Sequence, residues 1–411
     1  MPTLEEMFQT ACDALEIPGA VVVASVATGR FEYRKAFGRS SLKDLASAKP
    51  LELDATFVLA SCTKLMATIA ALQCVERGQL SLDEDVSIIL PELKDIEVLT
   101  GFQEGTGRPI LKKAEKKITL RQLLTHTSGI GYDMMDPSLR AWRTYRNESL
   151  SWDGMPLLQR ILVPLKFEPG TSWLYGFGID WAGEMVTRAN GGMTLQTYME
   201  KNLWAALGIE DMTFHWEQHP SMLERRVAMS RRSGPVDDWG LTVNPSGKVY
   251  YTDEEIYPHP VMDEYGGTGA LASAPEYLKI LRSVLANDRQ LLRPATVDEM
   301  FKPQLGREAK QAFAAALSIP QMNNTFWGGP LGVRTDWGLG GMLVLEDLPT
   351  GRTKGSLSWS GLPNCHWWID REAGLCGMYA SQLLPYGDPK SAAMHQMFEK
   401  DMYERLRRSR L

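Results

Sequence analysis

The sequence predicts an α/β (α+β) fold: an antiparallel sheet flanked by helices, with a mainly helical region inserted between the stretches that build the sheet. Three observations carry this. Strand-type residues gather near both ends of the chain, in "GAVVVASVATGRFEYRKAFG" at 19–38 and in "TKGSLSWSG" and "CHWWIDREAGLCGMYASQLL" at 353–361 and 365–384. Helical periodicity and aromatic residues concentrate between them. The segment "FVLASCTKLMATIAALQCVERG" at 57–78 is apolar on nearly every face from Leu65 to Val75, as a helix buried on all sides must be.

Taken in order, 19–38 reads as two strands joined by a tight turn at Thr28-Gly29. The buried helix follows, and Gly78 supplies its stop. "LSLDEDVSIILPEL" (80–93) closes a first block, and "ITLRQLLTHTSG" (118–129) is a short helix with Thr119 at its cap and Gly129 past its end. "IDWAGEMVTRANG" (179–191) has the helical period, and 231–260 reads as a long irregular loop. The late segments read as three sequential strands, the last two joined by a turn from Asp370 to Gly374, and 391–409 closes as an amphipathic helix. Early and late strands share one sheet most economically. The expected sheet domain is therefore 1–92 with 262–411, the expected inserted helical domain is 93–261, and a cleft separates them.

Charge and composition remove several function classes. The net charge of −6 offers no basic patch for nucleic acid or an anionic membrane. No apolar run approaches the ~18 residues of a membrane span. Five cysteines without a CxxC pair fit reduced thiols, and the N-terminus is acidic where a signal peptide is basic, so an intracellular protein is expected. The ending Ser409-Arg410-Leu411 is a conservative variant of the Ser-Lys-Leu peroxisomal address, which implies an import receptor as a partner; without it the expectation is cytoplasmic. Six histidines form no HExxH or similar spacing, so no metal is expected, and nothing in the sequence implies a cofactor. There is no Gly-x-Ser-x-Gly elbow, and "GGTGALAS" lacks the lysine of a phosphate loop.

Three segments could carry chemistry. Ser61 and Lys64, three residues apart, share one face of the buried helix near its N-terminus. A lysine in that apolar setting has a lowered pKa, so its amine can act as the base that activates the serine. The other Ser-x-x-Lys, Ser40 to Lys43, lies in a polar loop with no such helix behind it. Tyr175, in "EPGTSWLYGFGIDWAG", could share a proton with the lysine and pass it to a leaving group. Trp359-Ser360-Gly361 ends a strand where glycine lets backbone approach a ligand, and the next N–H, that of Leu362, could face an oxyanion. Read singly, each has a plain alternative: an N-cap serine with a snorkelling lysine, a packed tyrosine, a strand-end turn.

Together, in this order, they resemble the serine β-lactamase and penicillin-binding-protein superfamily, whose site is Ser-x-x-Lys, a tyrosine, and a strand with Lys-Thr-Gly or a substitute. "HTSG" (126–129), "GGTGALASAPEYLKIL" (266–281) and "WGLGG" (337–341) extend the likeness from about Leu15 to the closing helix. Trp359-Ser360-Gly361 stands where β-lactamases carry the basic triad and Tyr175-Gly176-Phe177 where they carry Tyr-x-Asn, both features of the esterase and transesterase branch. Within that branch the chain is most similar to fungal acyltransferases of polyketide biosynthesis. Val58 stands where those carry an arginine.

The resemblance implies a β-lactamase/transpeptidase-like fold and poor turnover of β-lactams, for want of a cation to hold their carboxylate. It also implies an acyl group moved from a thioester donor, acyl-CoA or acyl carrier protein, through acyl-Ser61 to a hydrophobic alcohol of a secondary metabolite. A carboxylesterase using the same residues is the alternative, and a non-catalytic scaffold of the same fold is a third.

Overall fold

The structure, a computed structural model, describes residues 2–150, 155–236, 246–257 and 260–409. Its centre is a seven-stranded antiparallel sheet. In chain order the strands are β1 (Gly19–Val26), β2 (Glu32–Gly38), β3 (Thr335–Trp337), β4 (Met342–Val344), β5 (Leu357–Gly361), β6 (Cys365–Asp370) and β7 (Leu375–Ala380). Their order across the sheet is β3-β4-β5-β6-β7-β1-β2. The first two strands close one edge, and β1 pairs with β7, Val21 opposite Ala380 and Val26 opposite Leu375. Five helices concern the sheet and the site most: α1 (Leu4–Asp13), α2 (Thr63–Glu76), α3 (Gly178–Ala189), α4 (Ala274–Ala286) and α5 (Pro389–Ser409).

The unbroken apolar run of β1 follows from burial on both faces. Val21 and Val23 point into the main core, which also holds α2 and the apolar side of α4. Ala20, Val22 and Ala24 point the other way, into a second core formed with Leu4 and Phe8 of α1 and Phe398 and Met402 of α5. Each fully buried valine contributes about 1.5–3 kcal/mol. By contrast β2 alternates, with Tyr33 and Phe37 buried and Glu32, Arg34 and Lys35 outward, as suits an edge strand that must not pair further. In α2 every residue from Thr63 to Cys74 is buried, including Lys64.

The segment 93–261 contains helices together with short strands. A hairpin joins Glu97–Phe102 to Pro109–Lys113. Within the stretch expected as an irregular loop, Ser230–Arg232 and Val249–Tyr251 pair antiparallel, and 237–245 and 258–259 lie outside the described residues. A small sheet, Thr56–Val58 with Leu271–Ser273 and Met212–Thr213, frames the approach to α2. The two strands expected over 365–384 with a turn from Asp370 to Gly374 are β6 and β7; beyond them a short Leu383–Leu384 strand leaves the sheet to run parallel to Ser230–Arg231.

No described helix is long and apolar enough to cross a membrane. Of the C-terminal tripeptide, Ser409 ends α5 exposed, while Arg410 and Leu411 lie outside the described residues.

Candidate active site

The chain reaches α2 through a tight turn. Ala60 sits at φ 46°, a left-handed value costly for a residue with a Cβ, and Ala60–Cys62 form one 3₁₀ turn that presents Ser61. Surrounding bonds hold the strain. The Leu59 N–H donates to the Ala270 carbonyl at 2.8 Å and Tyr277 Oη donates to the Cys62 carbonyl at 2.8 Å. From the other side, Gly361 at the end of β5 packs so closely that a Cβ there would lie 2.2 Å from the Leu59 oxygen. Glycine is therefore what lets the strand end meet the serine turn.

Lys64, 1% exposed, donates to Ser61 Oγ at 3.1 Å, Tyr132 Oη at 2.9 Å and the Gly267 carbonyl at 2.8 Å. Three acceptors match the three N–H bonds of an ammonium. Burial pushes the Lys64 pKa down to about 8, against the pull of Asp180 and Cys62 upward. About a tenth of the amine is then neutral at pH 7, enough to act as a base.

Tyr175 is also buried beside Ser61. Its hydroxyl accepts the indole N–H of Trp359 at 3.1 Å and engages Ser61; burial raises its pKa, and those two hydrogen bonds pull it back down. Tyr175 meets Lys64 by its ring face, with Nζ 4.7 Å from the ring centroid. The phenol bonded to the amine is that of Tyr132, which the sequence reading did not single out. The signal lay in "HTSGIGYDMM", where a tyrosine follows the glycine-rich end of a motif already assigned to the framework.

Trp359 does not line the pocket. It is 2% exposed, stacks on Phe326 at 5.1 Å and meets Trp337 edge-on at 4.5 Å, so it backs Tyr175 from within the core. Ser360 and Leu362 do line the pocket, with Ser61, Tyr132, Tyr175, Met134 and Met135. Ser360 Oγ donates to the Thr325 carbonyl. His126 packs edge-on against Tyr175 at 4.7 Å, and burial holds it neutral. Val58 is buried in a small core with Trp216, Met222 and Leu271.

Tyr132 is anchored by its neighbour. Asp133, fully buried, accepts from Arg143 Nε at 2.8 Å and from both terminal nitrogens of Arg160, with the Nη2 bond 2.7 Å long. Removing one member of a buried ion cluster leaves uncompensated charge. Asp133→Ala should therefore lower unfolding free energy by about 3–5 kcal/mol, read by urea denaturation. A loss below about 1 kcal/mol would show that the cluster does not hold this loop.

Among the described residues no group of three His, Cys, Asp or Glu side chains is placed to hold a metal ion.

The family description "Beta-lactamase" matches residues 4–399. The chain is 38% identical over 407 residues to the "Monacolin J acid methylbutanoyltransferase" of Aspergillus terreus, covering 97% of this chain and 95% of that one. It is 39% identical over 403 residues to a "Lovastatin esterase" of Penicillium rubens, covering 98% of each. Among solved structures, the LovD6 mutant of "Simvastatin Synthase (LOVD)" from Aspergillus terreus superposes with a TM-score of 0.89 at 39% identity, covering 98% of this chain and 95% of that one.

Proposed function

The chain belongs to the Beta-lactamase family, and from that premise we propose that it is an acyltransferase working through an acyl-Ser61 intermediate. The observation that carries the proposal is the bond from the buried Lys64 amine to Ser61 Oγ, at the foot of a pocket walled by Met134, Met135 and Phe326. Neutral Lys64 takes the Ser61 proton as Oγ attacks the carbonyl of an acyl thioester. The oxyanion that forms faces the backbone N–H groups of Ser61 and Leu362. The thiolate leaves with the proton from Lys64, passed through the Tyr132 hydroxyl bonded to it, while Tyr175, bonded to Ser61, steadies the Oγ side. An alcohol then attacks the acyl carbon as Lys64 takes its proton; the acyl–Oγ bond breaks, the ester departs, and Lys64 returns the proton to Ser61 Oγ.

The donor is a thioester on coenzyme A or a carrier protein, and the acceptor is a hydroxyl of a polyketide-type secondary metabolite. The relative whose name describes acyl transfer to monacolin J acid supports this class. The apolar wall suits a hydrophobic acceptor and helps keep water from the acyl-enzyme. A second reading, hydrolysis of such an ester, is favoured by the equal likeness to the lovastatin esterase. Both readings pass through acyl-Ser61; they differ in the acyl donor, thioester or ester, and in what attacks the intermediate, an alcohol or water.

Incubation with a panel of acyl thioesters, followed by intact-mass measurement, tests both. An adduct is expected for short apolar acyl groups, lost quickly on adding a hydrophobic alcohol and slowly in water alone. Equal loss in water establishes the esterase, and no adduct from any thioester rejects the thioester donor. If Leu411 is the last residue of the protein, Ser409-Arg410-Leu411 addresses it to the peroxisome. Imaging an N-terminally tagged protein with and without those residues should show punctate and diffuse signal respectively; diffuse signal in both rejects the address.

A further inference from the structure

Asp180 stands in the first turn of α3 and is 1% exposed. Its Oδ1 accepts the N–H of Gly267 at 2.8 Å, while its Oδ2 is buried and has no hydrogen-bond partner among the described residues. The carbonyl of the same glycine is the one that accepts from Lys64 Nζ at 2.8 Å. Gly267 is thus held at both ends, by a carboxylate on its N–H and by the reacting amine on its oxygen. A Cβ at this position would lie 2.6 Å from Oδ2 and 2.8 Å from Oδ1, so glycine is what allows the carboxylate to seat there.

The charge on this side chain needs an explanation. An asparagine would accept the same N–H bond and would avoid burying an ionisable group with one oxygen unpaired, which is costly. Packing alone would favour the amide. What the amide lacks is negative charge near an amine that must be an ammonium at one step and neutral at the next. We propose that Asp180 is a positioning residue that, through the Gly267 backbone, aims the Lys64 amine at Ser61 and supplies the counter-charge that stabilises the ammonium formed when Lys64 takes the Ser61 proton. The proposal rests on the acyl-Ser61 reading of the site.

The groups around the pair fit this role. Lys64 acts on Asp180 from α2, Tyr132, Tyr175 and Tyr257 from the pocket, and Tyr265 and Arg160 from outside it. Burial raises the Asp180 pKa and lowers that of Lys64; each charge opposes the shift of the other. Without the carboxylate, burial alone would hold the amine neutral through the working range. It would then be a weaker base and would take the Ser61 proton less readily.

The test is the pH profile of kcat/KM, from pH 6 to 9.5, with a short-chain acyl thioester as donor. In the unaltered enzyme the acid limb reports ionisation of Lys64. In Asp180→Asn that limb should move toward acid by about one pH unit or more, the reach of one nearby opposite charge. The ratio of variant to unaltered activity should then be about tenfold higher at pH 6 than at pH 9. A merely structural Asp180 would lower activity by one factor at every pH and leave the limb in place, which overturns the proposal. If Asp180→Asn does not fold, Asp180→Ser removes the same charge and is read the same way. Ser61→Ala in the same assay separates the two levels. Turnover surviving in that variant rejects the acyl-serine reading itself, whereas a dead Ser61→Ala beside an unmoved limb in Asp180→Asn rejects only the role of Asp180.

Discussion

Ser61→Ala is expected to abolish acyl adducts entirely and to lower turnover by on the order of 10⁴–10⁶-fold, the range for deleting a serine nucleophile. The protein should stay folded. The Ser61 side chain contributes only its hydrogen bonds with Lys64 and Tyr175, and the strained Ala60 turn is held by the Leu59 N–H and Tyr277 hydroxyl bonds, which the change leaves alone. The control is Ser40→Ala, which should leave adduct formation untouched. Ser40 Oγ donates to the Lys49 carbonyl at 3.4 Å, and the lysine of that second Ser-x-x-Lys, Lys43, lies over the Tyr251 ring, 5.4 Å from its centroid. Intact-mass measurement after thioester incubation reads both variants. Adducts that persist in Ser61→Ala and vanish in Ser40→Ala would move the nucleophile.

Turnover should fall steeply with acidity. Lys64 must be neutral to accept the Ser61 proton, and its pKa is lowered to about 8. As pH falls below that value the amine is increasingly charged, so kcat/KM should drop by about tenfold per pH unit. Above about 8 the amine is neutral and this limb flattens. Lys64→Met should remove at least about 10²-fold at pH 8 and abolish the limb, since it deletes the group that titrates. Tyr132→Phe and Tyr175→Phe should each lower turnover while keeping the limb, because the base is still present. A wild-type profile flat from pH 6 to 9 would mean that Lys64 is not the base.

How far the site was legible depends on where its parts lie. Ser61 and Lys64 are three residues apart on one helix, so helical geometry alone puts them together. The two-faced burial of β1 was visible as an unbroken apolar run, and the sheet assembled from both chain ends followed. α1 escaped notice although its capping box, Thr3 with Glu6, is written in the sequence. β3 and β4, at three residues each, are too short for periodicity to register. Tyr132 reaches Lys64 only through tertiary structure, held by Asp133 and two arginines from later helices. In the sequence Asp180 is one acid in a first helical turn, and nothing local sets it apart. Its partner is a backbone N–H 87 residues away, which no local pattern reveals. Trp359 was found by motif and expected beside the ligand. Its size and aromatic neighbours place it behind Tyr175, where its N–H orients a phenol.

The pairing of β1 with β7 also bears on synthesis. Val26 leaves the ribosome roughly 350 residues before its partner Leu375. At about 5–20 residues per second, an extremely apolar strand waits from roughly twenty seconds to more than a minute for the neighbour that covers its edge. Meanwhile β2 can close one side as a local hairpin, but the other edge stays open to any passing strand. Contacts this distant in sequence also slow folding after release. The nascent chain is therefore a natural client for chaperones that shield exposed strand edges, and a truncation that removes β7 would leave one edge of β1 open and prone to aggregate.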